Sequence, residues 1–287
     1  MAHYTGYRQR GVPPARHRGL PSPFLTLIFT LDEPLVLLAH PDPRQPPGDY
    51  RALLGGLHSS PALITHDGAQ SGIQVALRPL GARVLLGLPA GELAELDVPA
   101  EAVLGGLCAQ FRELALAAPG WPERFAILDD ILLRRAVPAM ADDKAGPEVR
   151  FAWGQLLRTG GTARISDLAA ETGWSGRHLT GRFRAEIGLT PKAAARVIRF
   201  DRAKHLLLAH AAQAAHAAHA AQAAHAAHAA HAADGQYRLA DLAAACGYFD
   251  QAHLAREFRA LAGCPPSQWI TEEFRNVQAG AWLSEGA

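Results

Sequence analysis

Apolar positions change their spacing twice along this chain. From residue 1 to about 90 they come in short β-prone runs, such as Phe24–Thr30, Ala62–Thr65, Gly72–Leu77 and Ala82–Leu86, separated by Pro- and Gly-rich turns. Short runs of this kind between turn signals predict a small β-sandwich or barrel. From Glu92 to about Ala136 the spacing becomes helical: Val103, Leu107, Phe111 and Leu114, then Phe125, Leu128, Ile131 and Leu132, recur every three or four residues. Two helices are predicted there, broken at Ala118–Pro122. The stretch around Pro138–Pro147 reads as a linker.

Beyond the linker, one helical pattern occurs twice. The first copy runs Ile165–Trp174, then Ser175–Arg184, and closes with Gly188–Pro191; the second runs Leu239–Tyr248, then Phe249–Arg259, and closes with Gly263–Pro266. In each, a short helix stops at a glycine (Gly173, Gly247), where a left-handed residue is needed that costs a side chain with a Cβ about 1–2 kcal/mol. Ser175 and Asp250 are suited to cap the helix that follows. Within it, Leu179 with Phe183 and Leu254 with Phe258 fall at i, i+4 and face inward, so the positions between them face out. An ordinary helical bundle would have to repeat the order glycine, aromatic, cap, Leu, Phe, Pro by accident; the pattern predicts two helix-turn-helix modules.

The residues from about Val149 to Trp269 resemble the DNA-binding domain of AraC/XylS-type transcriptional regulators, in which two such modules are joined by a linker helix. The resemblance is carried by Ser175–Arg184, Ala195–Leu207, Gly247–Arg259 and the Pro265–Trp269 ending. More loosely, Tyr7–Gly11, His17–Pro21 and Leu77–Arg83 resemble the sensor region of some actinobacterial members. The resemblance implies an α+β chain: an N-terminal sensor or dimerisation domain over 1–140 made of a small sandwich or barrel and two helices, a linker over 141–148, and an all-α DNA-binding domain over 149–275. The two helices after the barrel resemble the family's dimerising element; packing on the barrel is the other reading.

In the resembling family the outward positions of the second helix of each module face the major groove. Here these are Arg177, Thr180 and Gly181 in the first module, and Gln251, Ala252, Ala255 and Arg256 in the second. An arginine can pair with both O6 and N7 of guanine and a glutamine with adenine, whereas Gly181 offers no side-chain contact. Phosphate contacts are expected from Ser175, Arg182, Arg184, Arg196, Arg199, Arg202 and Arg259, and supply much of the affinity. His178 and His253 are expected to pack near the helix start rather than bind metal.

Charge agrees with this division. The 287 residues carry a net +1, but residues 1–149 hold 13 Lys/Arg against 16 Asp/Glu and residues 150–287 hold 15 against 11. The positive excess falls on the segment that would meet phosphates. Cys108, Cys246 and Cys264 make neither a disulfide framework nor a zinc site and fit a reducing cytoplasm. The start lacks an apolar signal core, and no run reaches the roughly 18 uninterrupted apolar residues of a membrane span except the Ala-rich tract, which its histidines disqualify. No phosphate loop, dinucleotide fingerprint, paired-acid motif or nucleophile elbow occurs, and Cys108 has no base beside it, so an enzyme is not expected. His58, His66 and Asp67 lack the spacing of a metal-binding cupin. No cofactor is expected. Double-stranded DNA is the expected partner, with a small-molecule effector, RNA polymerase and a second copy of the chain as further ones; the alternatives are an adaptor that no longer binds DNA or a metal-responsive regulator.

That last alternative rests on Ala209–Ala233, a tract of Ala-Ala-His and Ala-Ala-Gln triplets inserted between linker helix and second module. Alanine is the best helix former, so the tract should prolong the linker helix until Asp234 and Gly235 stop it. A period of three advances 300° per step on an α-helix, so the histidines spiral around it. Three readings stand: a tolerated repeat expansion, metal binding by pairs such as His216 with His219 or His225 with His228, or a spacer of about 37 Å, close to one turn of DNA.

Overall fold

The run at Phe24–Thr30 forms a strand that serves two cores at once. In the computed structural model, which describes residues 3–139, 145–223 and 239–279, this strand is β3 (Leu25–Thr30). Leu25, Leu27 and Phe29 point to one face and Ile28 to the other, as strand alternation requires. Around it are β1 (His3–Gln9), β2 (Ala15–Gly19), β4 (Leu35–Ala39), β5 (Gly48–Tyr50), β6 (Ala52–Gly55), β7 (Ala62–His66), β8 (Gln70–Leu77) and β9 (Asp97–Pro99). They pair antiparallel into a five-stranded sheet of order β1-β8-β3-β6-β9 and a four-stranded sheet of order β2-β7-β4-β5. The sheets face each other across Tyr7, Ile28, Leu35, Leu37, Leu53 and Ile64, the sandwich expected from the turn-separated runs.

The outer face of the five-stranded sheet is covered by helices α1 (Ala82–Leu86), α2 (Glu101–Leu104), α3 (Leu107–Ala117) and α4 (Trp121–Ala139). Phe111 of α3 lies with its ring centroid 4.5 Å from that of Phe29. Both helices after the sandwich pack on its outer face.

Three expectations are corrected here. Ala82–Leu86 is a helical turn, not a strand: Pro79 opens a 3₁₀ turn ahead of it, and Ala82, Leu85 and Leu86 are buried together at helical spacing. The span from Glu92 to Leu114 is also not one helix. It holds β9, which pairs with β6, then α2, then a break at Gly105 before α3 begins. Pro138 lies inside α4 rather than in a linker.

The C-terminal part is all helical: α5 (Pro147–Arg158), α6 (Ile165–Glu171), α7 (Gly176–Ile187), α8 (Pro191–Ala223), α9 (Leu239–Ala245), α10 (Gln251–Ala262) and α11 (Pro266–Ala279). One core joins them through Trp153, Phe183, Phe200, Phe258 and Trp269, and Leu57 of the sandwich is buried in it. The helix expected to continue into the Ala/His tract does so, since α8 reaches Ala223. The stop expected at Asp234 and Gly235, and His225 and His228, lie outside the described residues. Among the described residues no helix is long and apolar enough to cross a membrane.

Candidate nucleic-acid interface

The two repeats fold alike because their turns are locally determined. Gly173 and Gly247 adopt φ of +70° and +73°. The following amides reach back to the helix just ended, Trp174 N–H to the Ala169 carbonyl at 3.0 Å and Tyr248 N–H to that of Ala243 at 2.9 Å. This is the six-to-one bond of a Schellman stop. The next helix is then capped by side chains: Ser175 Oγ accepts from His178 N–H at 3.2 Å and Asp250 Oδ1 from His253 N–H at 2.6 Å. Each cap satisfies an amide that the helix start leaves without an intrahelical partner.

Below the turn, Leu179, Phe183, Leu254 and Phe258 are fully buried, which fixes the rotation of α7 and α10. Arg177, Gly181, Arg182 and Arg184 are therefore exposed on α7, as are Gln251, Ala252, Arg256 and Arg259 on α10. Thr180 and Ala255 are half-buried, and the Thr180 hydroxyl donates to the Gly176 carbonyl at 2.7 Å. Exposed Ser175 spends its oxygen on the cap. His178 packs edge-on against Trp174 at 4.6 Å and His253 against Tyr248 at 5.3 Å.

The α8 arginines divide into two kinds. Arg196 is held by Glu257 of α10, Nε to Oε2 at 2.7 Å. Arg199 donates from Nη1 to the Gly161 carbonyl at 2.5 Å and lies 5.8 Å from the Tyr248 ring centroid. Both tie the two modules together. Arg202, in contrast, is exposed. Between the modules opens a cleft of about 670 Å³ lined by Arg164, Lys192, Arg196, Arg199, His253 and Glu257. Arg164 and Lys192 escaped sequence reasoning because they lie outside the recognition helices; only their basic character in the positive half pointed to them.

The second module sits on the first half of α8. Phe200 meets Phe258 at 4.8 Å between ring centroids, and Arg196 meets Glu257, whereas α8 continues to Ala223 before the chain returns to α9.

In the sandwich, a cavity of about 650 Å³ opens between the sheets, with Tyr7, Thr30, Leu35, His66, Asp67 and Gln70 among its lining. His66 Nδ1 accepts from Gly68 N–H at 3.1 Å, Asp67 from Ala69 N–H at 3.3 Å, and the His58 ring bonds the Ser60 carbonyl at 2.5 Å. Each thus closes a local turn. Among the described residues no three His, Cys, Asp or Glu side chains converge to hold a metal ion. Burial pushes the Cys108 thiol up to about 12, which keeps it protonated at neutral pH. All three cysteines are free and buried.

Two capped helix-turn-helix modules packed on a shared helix, with basic outward faces, make a double helix-turn-helix domain. Residues 229–271 match the bacterial regulatory helix-turn-helix proteins of the AraC family; the chain carries an AraC-type helix-turn-helix domain over that span. The first module, outside that span, repeats the second in structure. No curated protein matches the sequence. Among solved structures, an apo variant of ToxT from Vibrio cholerae is 10% identical at a TM-score of 0.50, over 94% of this chain and 96% of that one; the likeness is one of fold. Another ToxT structure from Vibrio cholerae is 12% identical at 0.49, over 94% and 98%. A third, unsaturated fatty acid bound wild-type ToxT from Vibrio cholerae, is 10% identical at 0.48, over 94% and 95%.

Proposed function

We propose that this regulator reads two adjacent major-groove segments of double-stranded DNA, one per module, under control of its N-terminal part. The observation that carries this reading is the pair of capped helices α7 and α10, held on one helix with their outward faces open. In this reading Arg177, Thr180 and Gly181 face bases in the first segment, and Gln251, Ala252, Ala255 and Arg256 those in the second. Arg182, Arg184, Arg202 and Arg259, with Ser175 at its cap, face phosphates, and Arg196 and Arg199 hold the modules at the junction while adding positive charge to the cleft.

Division of the chain follows the same logic, with a sensing or dimerising domain over 1–140 and a DNA-binding domain over 149–275. The cavity between the sheets is roomy enough for a small molecule, which supports an effector acting by population shift: it favours one arrangement of sandwich and reading helices over another. The protein would act in the cytoplasm as a regulator rather than an enzyme, with RNA polymerase and a second copy of the chain as its protein partners.

Selection of bound DNA from a random pool by the full-length protein tests this. A bipartite motif bound far more tightly than a scrambled sequence at fixed salt is the expected result. Weak, salt-sensitive binding without a motif would overturn sequence-specific reading and favour the adaptor.

A further inference from the structure

The two modules differ by one residue, and that residue is an aromatic left in solvent. Between Gly173 and Leu179 lie residues 174–178, whereas between Gly247 and Leu254 lie residues 248–253. In the first module Trp174 follows the glycine, folds back onto the core and meets the His178 ring. In the second, Tyr248 takes that place, buried and set against His253. Phe249 is therefore the added residue, and its side chain is 92% exposed.

Its position is nonetheless held. The Phe249 N–H donates to His253 Nδ1 at 3.3 Å, and the next residue, Asp250, caps α10. A large residue just before a cap ordinarily packs on the fourth helical position. Leu254 occupies that position and is already fully buried within the core. The phenyl group is thus left in solvent at the N-terminal end of α10, two residues before Gln251 in the chain, and that is the end of a recognition helix that meets base edges in helix-turn-helix proteins.

We infer that Phe249 is an apolar reading element that packs on the 5-methyl group of a thymine in the second segment. The inference rests on the DNA-reading function proposed above. Thymine's methyl is the one apolar group that a base pair presents in the major groove. A phenyl ring can recognise it without a hydrogen bond. Ala252 and Ala255 are too short to reach far, so an added aromatic beside them restores contact area that this module otherwise lacks. Continuity with the exposed Gln251 and Arg256 face makes DNA the occupant, rather than another protein.

The test replaces each thymine of the selected site in turn by deoxyuridine, which removes only the methyl, and measures binding of the full-length protein and of Phe249→Ala. One thymine in the second segment should lose about five-fold in affinity on demethylation with the native protein and nothing further with Phe249→Ala. Phe249→Leu, which keeps an apolar surface, should retain part of the effect. Equal demethylation losses for both proteins, an unchanged affinity for Phe249→Ala, or a second segment without thymine would each overturn the inference while leaving a bipartite motif intact. Absence of any motif with the native protein would instead overturn the DNA-reading function on which it rests.

Discussion

Arg83 and Glu186 form a two-toothed ion pair between the N-terminal part and α7 of the first helix-turn-helix module. Arg83 Nε donates to Glu186 Oε1 at 2.8 Å and Nη2 to Oε2 at 2.8 Å. The carboxylate is buried on α7, one turn beyond the exposed Arg182, and the guanidinium comes from α1. Removal of the arginine would leave a buried negative charge alone, which costs more than the pair itself contributes. Arg83→Ala should lower stability by about 2–3 kcal/mol, and Glu186→Gln by less, since an amide tolerates burial better than an unpaired carboxylate. Urea unfolding of both variants and their double mutant checks this; equal and additive losses would show that the two do not act as a pair.

The same contact depends on a close approach of backbones. A Cβ on Gly91 would stand 2.1 Å from the Ala185 carbonyl oxygen on α7. Gly91→Ala must therefore push the sandwich away from the recognition helix, at an overpacking cost of about 1–3 kcal/mol. The expected outcome is a lowered Tm together with altered affinity for the first DNA segment and unaltered affinity for the second. A variant with native Tm and native binding would show that the contact is not maintained in solution.

The two turn glycines should respond unequally to the same change. Gly173 and Gly247 share a left-handed φ, but a Cβ at Gly173 meets nothing within 4 Å, whereas one at Gly247 meets Thr162 Cγ2 at 2.4 Å. Gly173→Ala should cost only the conformational strain of about 1–2 kcal/mol. Gly247→Ala should cost more, because the Thr162 methyl group must also move. Denaturant midpoints of the two variants decide it, and equal losses would argue against the packing at Gly247.

Acid should weaken the sandwich. Burial, aided by the neighbouring His66, lowers the His17 pKa to about 4, and burial also depresses His58 and His66. The folded state thus keeps these rings neutral where the unfolded chain would protonate them. Stability is full above the ordinary histidine value of 6.5 and falls with pH from there toward about 4. His17 alone contributes a loss of up to about 2 kcal/mol between pH 7.5 and 5. Unfolding midpoints at those two pH values should differ less for His17→Gln than for the native chain; an identical pH dependence would remove His17 as a cause.

Deletion of residues 211–231 should leave the spacing of the DNA footprint unchanged. The second module is fastened to the first half of α8 by Glu257 and Phe258, upstream of the tract. A footprint shortened by a helical turn of DNA would restore the spacer reading.

Both modules were legible in the chain because their determinants are local: a left-handed glycine, a cap three residues before the amide it satisfies, and Leu and Phe at i, i+4. Ala82–Leu86 was misread because five residues, apolar at four positions, fit a strand or a helical turn equally, and only burial against α4 and the sheet chose the turn. β9 was hidden in a helical spacing for a like reason, its pairing partner β6 lying some forty residues upstream.

Sequence alone determined the helix-turn-helix pair, the identity of the outward side chains and the break between a β-rich and a helical half, since these follow from residue spacing within a turn or two of chain. Tertiary structure decided which charges are spoken for. Arg196 and Glu257 are 61 residues apart and Arg83 and Glu186 are 103 apart, and no local pattern encodes such a meeting. It also decided that Tyr248 is buried and Phe249 is not, because the room beneath the second turn holds one aromatic ring and the added residue must point outward.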